Sequence, residues 1–190
     1  FKVGAGYSDS SGAIFNIKVQ QDNFLGKGNN VALEVEKSSY KKLLRYRNTN
    51  PYFTKDGISK STSIVFSETD VSSTSTASYL SDTIAYGINY SVPISETRSY
   101  GYGGELVLTD YTTTVGSPSN VTNFINKYGK SHFGLMVRAS IIDDTRNRTV
   151  YATEGRNQSI ISSLFIKPDM DYSYASIKFT DPNIFFKLSI

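Results

Sequence analysis

Cysteine is absent from the 190 residues, which excludes a disulfide framework and any thiolate metal site. Histidine occurs once, as His132, with no second His and no Cys to share a ligand, and it reads as a loop-end residue. No apolar run exceeds a few residues, so a transmembrane helix of ~20 apolar residues is excluded. Charge of one sign is also scarce. The formal net charge of +3 is spread along the chain and leaves no footprint for nucleic acid. No nucleophile, base and orienting group can be assembled, so neither catalysis nor a cofactor is expected. The chain starts at Phe1 without a signal-peptide pattern, as a mature segment or a fragment would.

Two further candidates for chemistry fall away on spacing. Asp143-Asp144 and Asp169–Asp171 lack the ligand spacing of a calcium loop and read as solvated turn residues, so no metal site is expected. Gly26-Lys27-Gly28 has no helix after it to make a phosphate loop. The Asn-x-Ser/Thr triplets at Asn89, Asn120, Asn147 and Asn157 are what chance yields in a chain so rich in these residues.

What the chain does have is 14 tyrosines, 11 phenylalanines and abundant Ser and Thr, at a hydrophobic content of only 38%. A soluble β-sandwich has such a composition, and so does a transmembrane β-barrel whose polar lumen dilutes the average. At this length one domain is expected.

Alternation of apolar and polar residues runs through most of the chain, the period-two signature of strands. Around the turn Gln21–Asn30, Phe15, Ile17 and Val19 precede and Val31, Leu33 and Val35 follow. Strands are expected at about 1–7, 13–21, 30–38, 42–50, 59–69, 84–94, 99–110, 132–142, 158–166, 172–179 and from 184 onward. A short helix is expected over 120–128, and a polar loop over 71–82. The 84–94 strand places Ile84, Tyr86, Ile88, Tyr90, Val92 and Ile94 opposite Ala85, Gly87, Asn89 and Ser91, as lipid and lumen faces would be. A sandwich strand can look the same. Connections alternate between variable Ser/Thr- or Lys-rich stretches and definite turns, which suits the two ends of an up-and-down barrel. The stretch 143–157 is an exception in length.

A hairpin about Tyr40-Lys41 would set Glu36 opposite Arg45, Glu34 opposite Arg47 and Val35 opposite Tyr46. The basic cluster Lys37, Lys41, Lys42, Arg45 and Arg47 suits anionic headgroups at a membrane face, but a solvated hairpin tip plus lumen charges accounts for it more simply. In Tyr100-Gly101-Tyr102-Gly103-Gly104 the glycines are expected to relieve crowding or permit curvature.

Two motifs carry a resemblance. Gln-Gln-Asp-Asn-Phe-Leu-Gly-x-Gly (Gln20 to Gly28) and Asn-Pro-Tyr-Phe-Thr-x-Asp-Gly-Ile-Ser (Asn50 to Ser59) together resemble the first strands of the BamA-type barrels. These belong to the POTRA/barrel transporter superfamily, which also includes TamA-like proteins. The resemblance implies an all-β fold, an antiparallel up-and-down transmembrane β-barrel in the bacterial outer membrane. Residues 1–190 would supply about the first ten to eleven of sixteen strands, with POTRA domains and closing strands absent. It implies a protein that folds and inserts β-barrel proteins through a lateral gate at its first strand, by β-augmentation. The gate edge would be Phe1, Lys2, Val3, Gly4, Ala5, Gly6 and Tyr7. Asp22, Asn23, Phe24, Gly26 and Gly28 would form one structural periplasmic turn; Asn50, Pro51, Tyr52, Phe53, Asp56 and Gly57 would form another. The implied partners are nascent outer-membrane β-barrel proteins, assembly lipoproteins reached mainly through POTRA domains, and outer-membrane lipid and lipopolysaccharide. A passive porin is the alternative, expected to keep its first strand well paired and to lack both motifs. A Ser-His-acid hydrolase barrel is disfavoured, since no such set is present.

Overall fold

The computed structural model describes residues 1–9, 12–70, 78–147, 154–168, 173–180 and 187–189. Eleven strands form one sheet in chain order. They are β1 (Lys2–Ser8), β2 (Gly12–Gln21), β3 (Asn30–Lys37), β4 (Lys41–Asn50), β5 (Ser59–Asp70), β6 (Tyr79–Pro93), β7 (Arg98–Thr113), β8 (Ser131–Asp144), β9 (Asn157–Ile166), β10 (Tyr174–Thr180) and β11 (Lys187–Ser189). Each pairs antiparallel with its neighbours. One helix, α1 (Ser119–Tyr128), lies between β7 and β8. The acidic stretch 169–171 and residues 71–77 of the expected polar loop lie outside the described residues.

Register turns the alternation into two continuous faces. Val3, Ile17, Val35, Leu44, Phe66 and Ile84 are successive partners across six strands, and all are exposed. The opposite face is sheltered. Ala85, between Ile84 and Tyr86, is 5% exposed, against 50% and 43% for its neighbours. Leu43, Phe165 and His132 are buried on the same side as Ala85. An ordinary soluble sheet would cover its apolar face; here the apolar face is bare and the small and polar face is sheltered, the inside-out pattern of a membrane barrel.

Two expectations need correction. Ser38 N–H donates to Lys41 O at 2.8 Å, and Ser38 Oγ accepts from Lys41 N–H at 3.1 Å. The hairpin loop is therefore Ser39-Tyr40, one residue earlier than expected, and every β3–β4 pair moves by two. Glu34 faces Arg45, Ala32 faces Arg47, and Val35 faces Leu44. The Arg45–Glu34 contact is 3.0 Å and that of Lys41–Glu36 is 3.8 Å. A double-mutant cycle on Glu34 and Arg45 should give ~0.2–1 kcal/mol of coupling in denaturant unfolding. The Glu36–Arg45 cycle should give less, and the reverse order would favour the later loop.

The second correction concerns Tyr79–Asp82, which begin β6 rather than ending a loop. Their partners are Thr113 to Asp110, and the Tyr79 ring packs edge-on to Tyr111 at 6.2 Å. A stretch of Ser and Thr hid a strand start that cross-strand aromatic contact supports.

Candidate functional site

β1 stands at one margin of the sheet. It pairs with β2 from Lys2–Lys18 to Ser8–Gly12, and among the described residues no strand lies on its other side. Phe1, Val3 and Tyr7 are 83%, 63% and 78% exposed. A β-carbon at Gly6 would meet nothing within 4 Å, and one at Gly4 only Asn16 O at 4.0 Å. Glycine there is thus not required by crowding. Its local effect is a strand with fewer side-chain contacts and more backbone freedom. All seven residues singled out from the sequence lie at this margin, where among the described residues the strand pairs on one side only.

The turn residues gather at one end of the sheet. In the first turn Asn23 is left-handed at φ 53°, and its side-chain oxygen accepts the Gly28 N–H at 2.8 Å. Phe24 N–H reaches Asn29 O at 2.7 Å, and Gly26 and Gly28 take φ of 72° and 74°, a region that favours glycine. Asp22 accepts from Gln20 at 3.3 Å. A short 3₁₀ turn, Phe24–Gly26, lies within this connection, and β3 follows it.

In the second turn Asn50 accepts the Tyr52 N–H at 3.0 Å, an Asx-turn. Pro51 follows it, and Phe53 N–H closes onto Ile58 O at 2.9 Å. Asp56 precedes Gly57, whose φ is 79°. The β6–β7 turn and the long β8–β9 connection share this end and are tied together, Asp144 N–H donating to Thr97 O at 2.7 Å. Asp143 and Asp144 are not free turn residues: they pair with Arg98 at 3.1 Å and Arg146 at 2.7 Å. The Asp144 carboxylate holds the Arg146 guanidinium still more firmly protonated than usual.

Near this end the exposed face carries aromatic rings. Tyr90 stacks on Tyr102 at 5.3 Å, Phe53 lies 6.0 Å from Tyr90, and Lys60 Nζ sits 4.9 Å over the Phe53 ring. These rings belong to the outward apolar face, Tyr90 and Tyr102 being partners across β6 and β7. Tyr90 shares the face of Ile88, as the alternation implied, and Tyr102 shares that of Leu106.

His132 stands at the start of β8, as its second residue, where a loop-end histidine is expected, and it is 3% exposed. Its Nε2 is 3.1 Å from Gly129 O, and its ring packs on Phe124 of α1 at 5.3 Å and on Tyr111 at 5.6 Å. Among the described residues no three His, Cys, Asp or Glu side chains cluster as metal ligands.

A sheet with a bare apolar face and a sheltered polar face is an outer-membrane β-barrel domain, in part and unclosed across the described strands. The profile of the Omp85 superfamily domain matches residues 23–188, and the chain belongs to that superfamily. It is similar to the outer membrane protein assembly factor BamA of Neisseria meningitidis serogroup B, 31% identical over 131 residues, covering 68% of this chain and 16% of that protein. BamA of Buchnera aphidicola subsp. Acyrthosiphon pisum is 40% identical over 50 residues, 26% of this chain and 8% of that one. The crystal structure of BamA from Haemophilus ducreyi lacking POTRA domains 1–3 superposes with a TM-score of 0.73 at 23% identity, covering 93% of this chain and 36% of that one. The chain thus spans a small part of the curated relatives it matches, and its place is the bacterial outer membrane.

Proposed function

We propose that these residues are the first strands of a barrel that folds and inserts other β-barrel proteins into the outer membrane, with the margin of β1 as gate and template. The observation that carries this reading is the glycine-lightened β1, whose Gly4 and Gly6 are not required by crowding. An incoming strand would pair with its main chain, so recognition would depend little on substrate sequence. The turn end carrying Asn23 and Asn50 would face the periplasm and the α1 end the exterior, with POTRA domains and assembly lipoproteins on the periplasmic side. Both turns close on themselves through Asn side chains, which suits structural roles.

Cysteines placed singly at Phe1 to Tyr7 of the whole protein should crosslink to nascent barrel strands, alternating along β1 as a paired ladder does. Crosslinks absent from all seven positions, with assembly intact, would refute the gate.

A further inference from the structure

The glycine-rich stretch 100–104 opens a polar depression in the sheltered face. Three rows cross it from β6 through β7 to β8: Asn89, Gly103 and Arg138; Ser91, Gly101 and Ser140; Pro93, Ser99 and Ile142. A β-carbon at Gly101 would collide with Ser140 Oγ, and one at Gly103 with Asn89 Oδ1. The two glycines therefore let polar side chains lean over the β7 backbone from both sides. The depression has a volume of about 190 Å³, and its lining includes Asn89, Ser91, Ser99, Gly101, Arg138 and Ser140. That is below the ~300 Å³ at which small-molecule pockets begin, a size for one functional group.

Its charge is unbalanced. Arg138 is exposed and meets no carboxylate among the described residues. Its Nη2 donates to the Met136 sulfur at 3.3 Å, a weak acceptor. Glu105, one row on across the same face, turns toward Gly87 instead: its Oε2 lies 3.4 Å from where a β-carbon there would stand. Among the described residues no acid lines the depression. Beside the guanidinium stand an amide and hydroxyls, all able to donate. One cation among neutral donors suits a monoanion, and the planar fork suits two oxygens in one plane.

We propose that this depression binds a carboxylate. Arg138 exchanges its sulfur contact for two charge-assisted hydrogen bonds. The Asn89 amide and the Ser91 and Ser140 hydroxyls donate to the lone pairs that remain. The carboxylate belongs either to an acidic side chain on a polypeptide segment in the lumen or to a small free acid, which present the same two oxygens. The site rests on the two faces of the sheet and not on gating at β1.

The test reads guanidinium reactivity in the whole protein in detergent micelles. Phenylglyoxal modifies free arginine, and peptide mass spectrometry follows Arg138 against Arg47. Arg47 is also exposed on the sheltered face, between Ala32 and Ser63, with no ion pair among the described residues. Both should react. Propionate, or a capped glycine-aspartate-glycine peptide, at roughly ten times its dissociation constant should slow Arg138 about tenfold and leave Arg47 unchanged. The asparagine analogue of the peptide should protect neither. Protection at lower concentration by the peptide assigns the carboxylate to a polypeptide segment; at lower concentration by propionate, to a free acid. Ser91→Ala with Ser140→Ala should abolish protection while Arg138 still reacts. Gly101→Ala, which fills the floor, should do the same, and heat-modifiable electrophoretic mobility checks that each variant is folded. Arg138 left unprotected by either carboxylate would overturn the proposal. So would equal protection of Arg47, the mark of general charge screening, or stronger protection by inorganic phosphate. An Arg138 that never reacts while Arg47 does is already paired, which also overturns it.

Discussion

Arginine in place of Ile88 should strip the barrel of its stability in a bilayer, whereas arginine at the adjacent Asn89 should be tolerated. Ile88 is the middle one of five outward residues on β6, from Ile84 to Val92. At ~3.4 Å per residue and a tilt of ~40°, that span is about 21 Å of an apolar band ~25 Å tall. Ile88 therefore sits near the midplane, where arginine costs roughly 2–4 kcal/mol. Asn89 points to the sheltered face, in the row of Ser61 and Gly103. There the charge stays among polar groups, and the cost should remain within ~1 kcal/mol. Urea unfolding in lipid vesicles reads both. Cysteines along 84–92 should alternate in reactivity toward a membrane-dissolved maleimide, Tyr86, Ile88 and Tyr90 reacting and Gly87 and Asn89 not. Equal cost at positions 88 and 89, or uniform reactivity, would refute the assignment of faces.

The split into two faces was legible from the sequence because period two is a strictly local signal, whereas which face meets lipid came from the family resemblance. Six apolar residues from Ile84 to Ile94 alternate with small and polar ones, and no long-range fact is needed to place them. Register is different. Moving the β3–β4 loop from Tyr40-Lys41 to Ser39-Tyr40 shifts each pair by two and leaves every side chain on its face. Hydrophobic patterning cannot see such a slip; only the Ser38–Lys41 hydrogen bonds choose between the loops. The basic cluster shows the same limit. Five cations within eleven residues look like one patch, yet strand parity sends Lys37 and Lys42 outward and the others inward. The burial of His132 was not legible because it comes from α1, whose Phe124 packs on its ring. The margin of β1 was named through the family resemblance and not from periodicity. Whether a strand is an edge depends on which strands lie beside it, and no local pattern encodes that.

Two glycines that look alike in the sequence should respond to alanine with opposite signs. A β-carbon at Gly103 would stand 2.5 Å from the Ile88 carbonyl oxygen and would also collide with the Asn89 side-chain oxygen. The carbonyl belongs to the β6 ladder and cannot turn away without breaking pairing, so Gly103→Ala should cost ~1–3 kcal/mol by overpacking. Adding Asn89→Ala should recover only part of this, because it removes the amide and leaves the carbonyl. At Gly6 the space is open. Alanine there restricts the unfolded chain more than the folded strand and should stabilise by about 0.4–1 kcal/mol. Unfolding of the two variants in lipid vesicles measures both signs, and a loss at Gly6 equal to that at Gly103 would mean that β1 is packed against something in the membrane. The Gly6 result also bears on the proposed gate. A stiffer first strand opens less readily for an incoming one, so Gly6→Ala should slow insertion of a client barrel while raising stability. Gly103→Ala lies six ladders from the β1 margin, and it should lower the yield of folded barrel without changing the insertion rate of the fraction that folds. A stabilised Gly6→Ala protein that inserts clients at the original rate would separate the freedom of β1 from its work as a template.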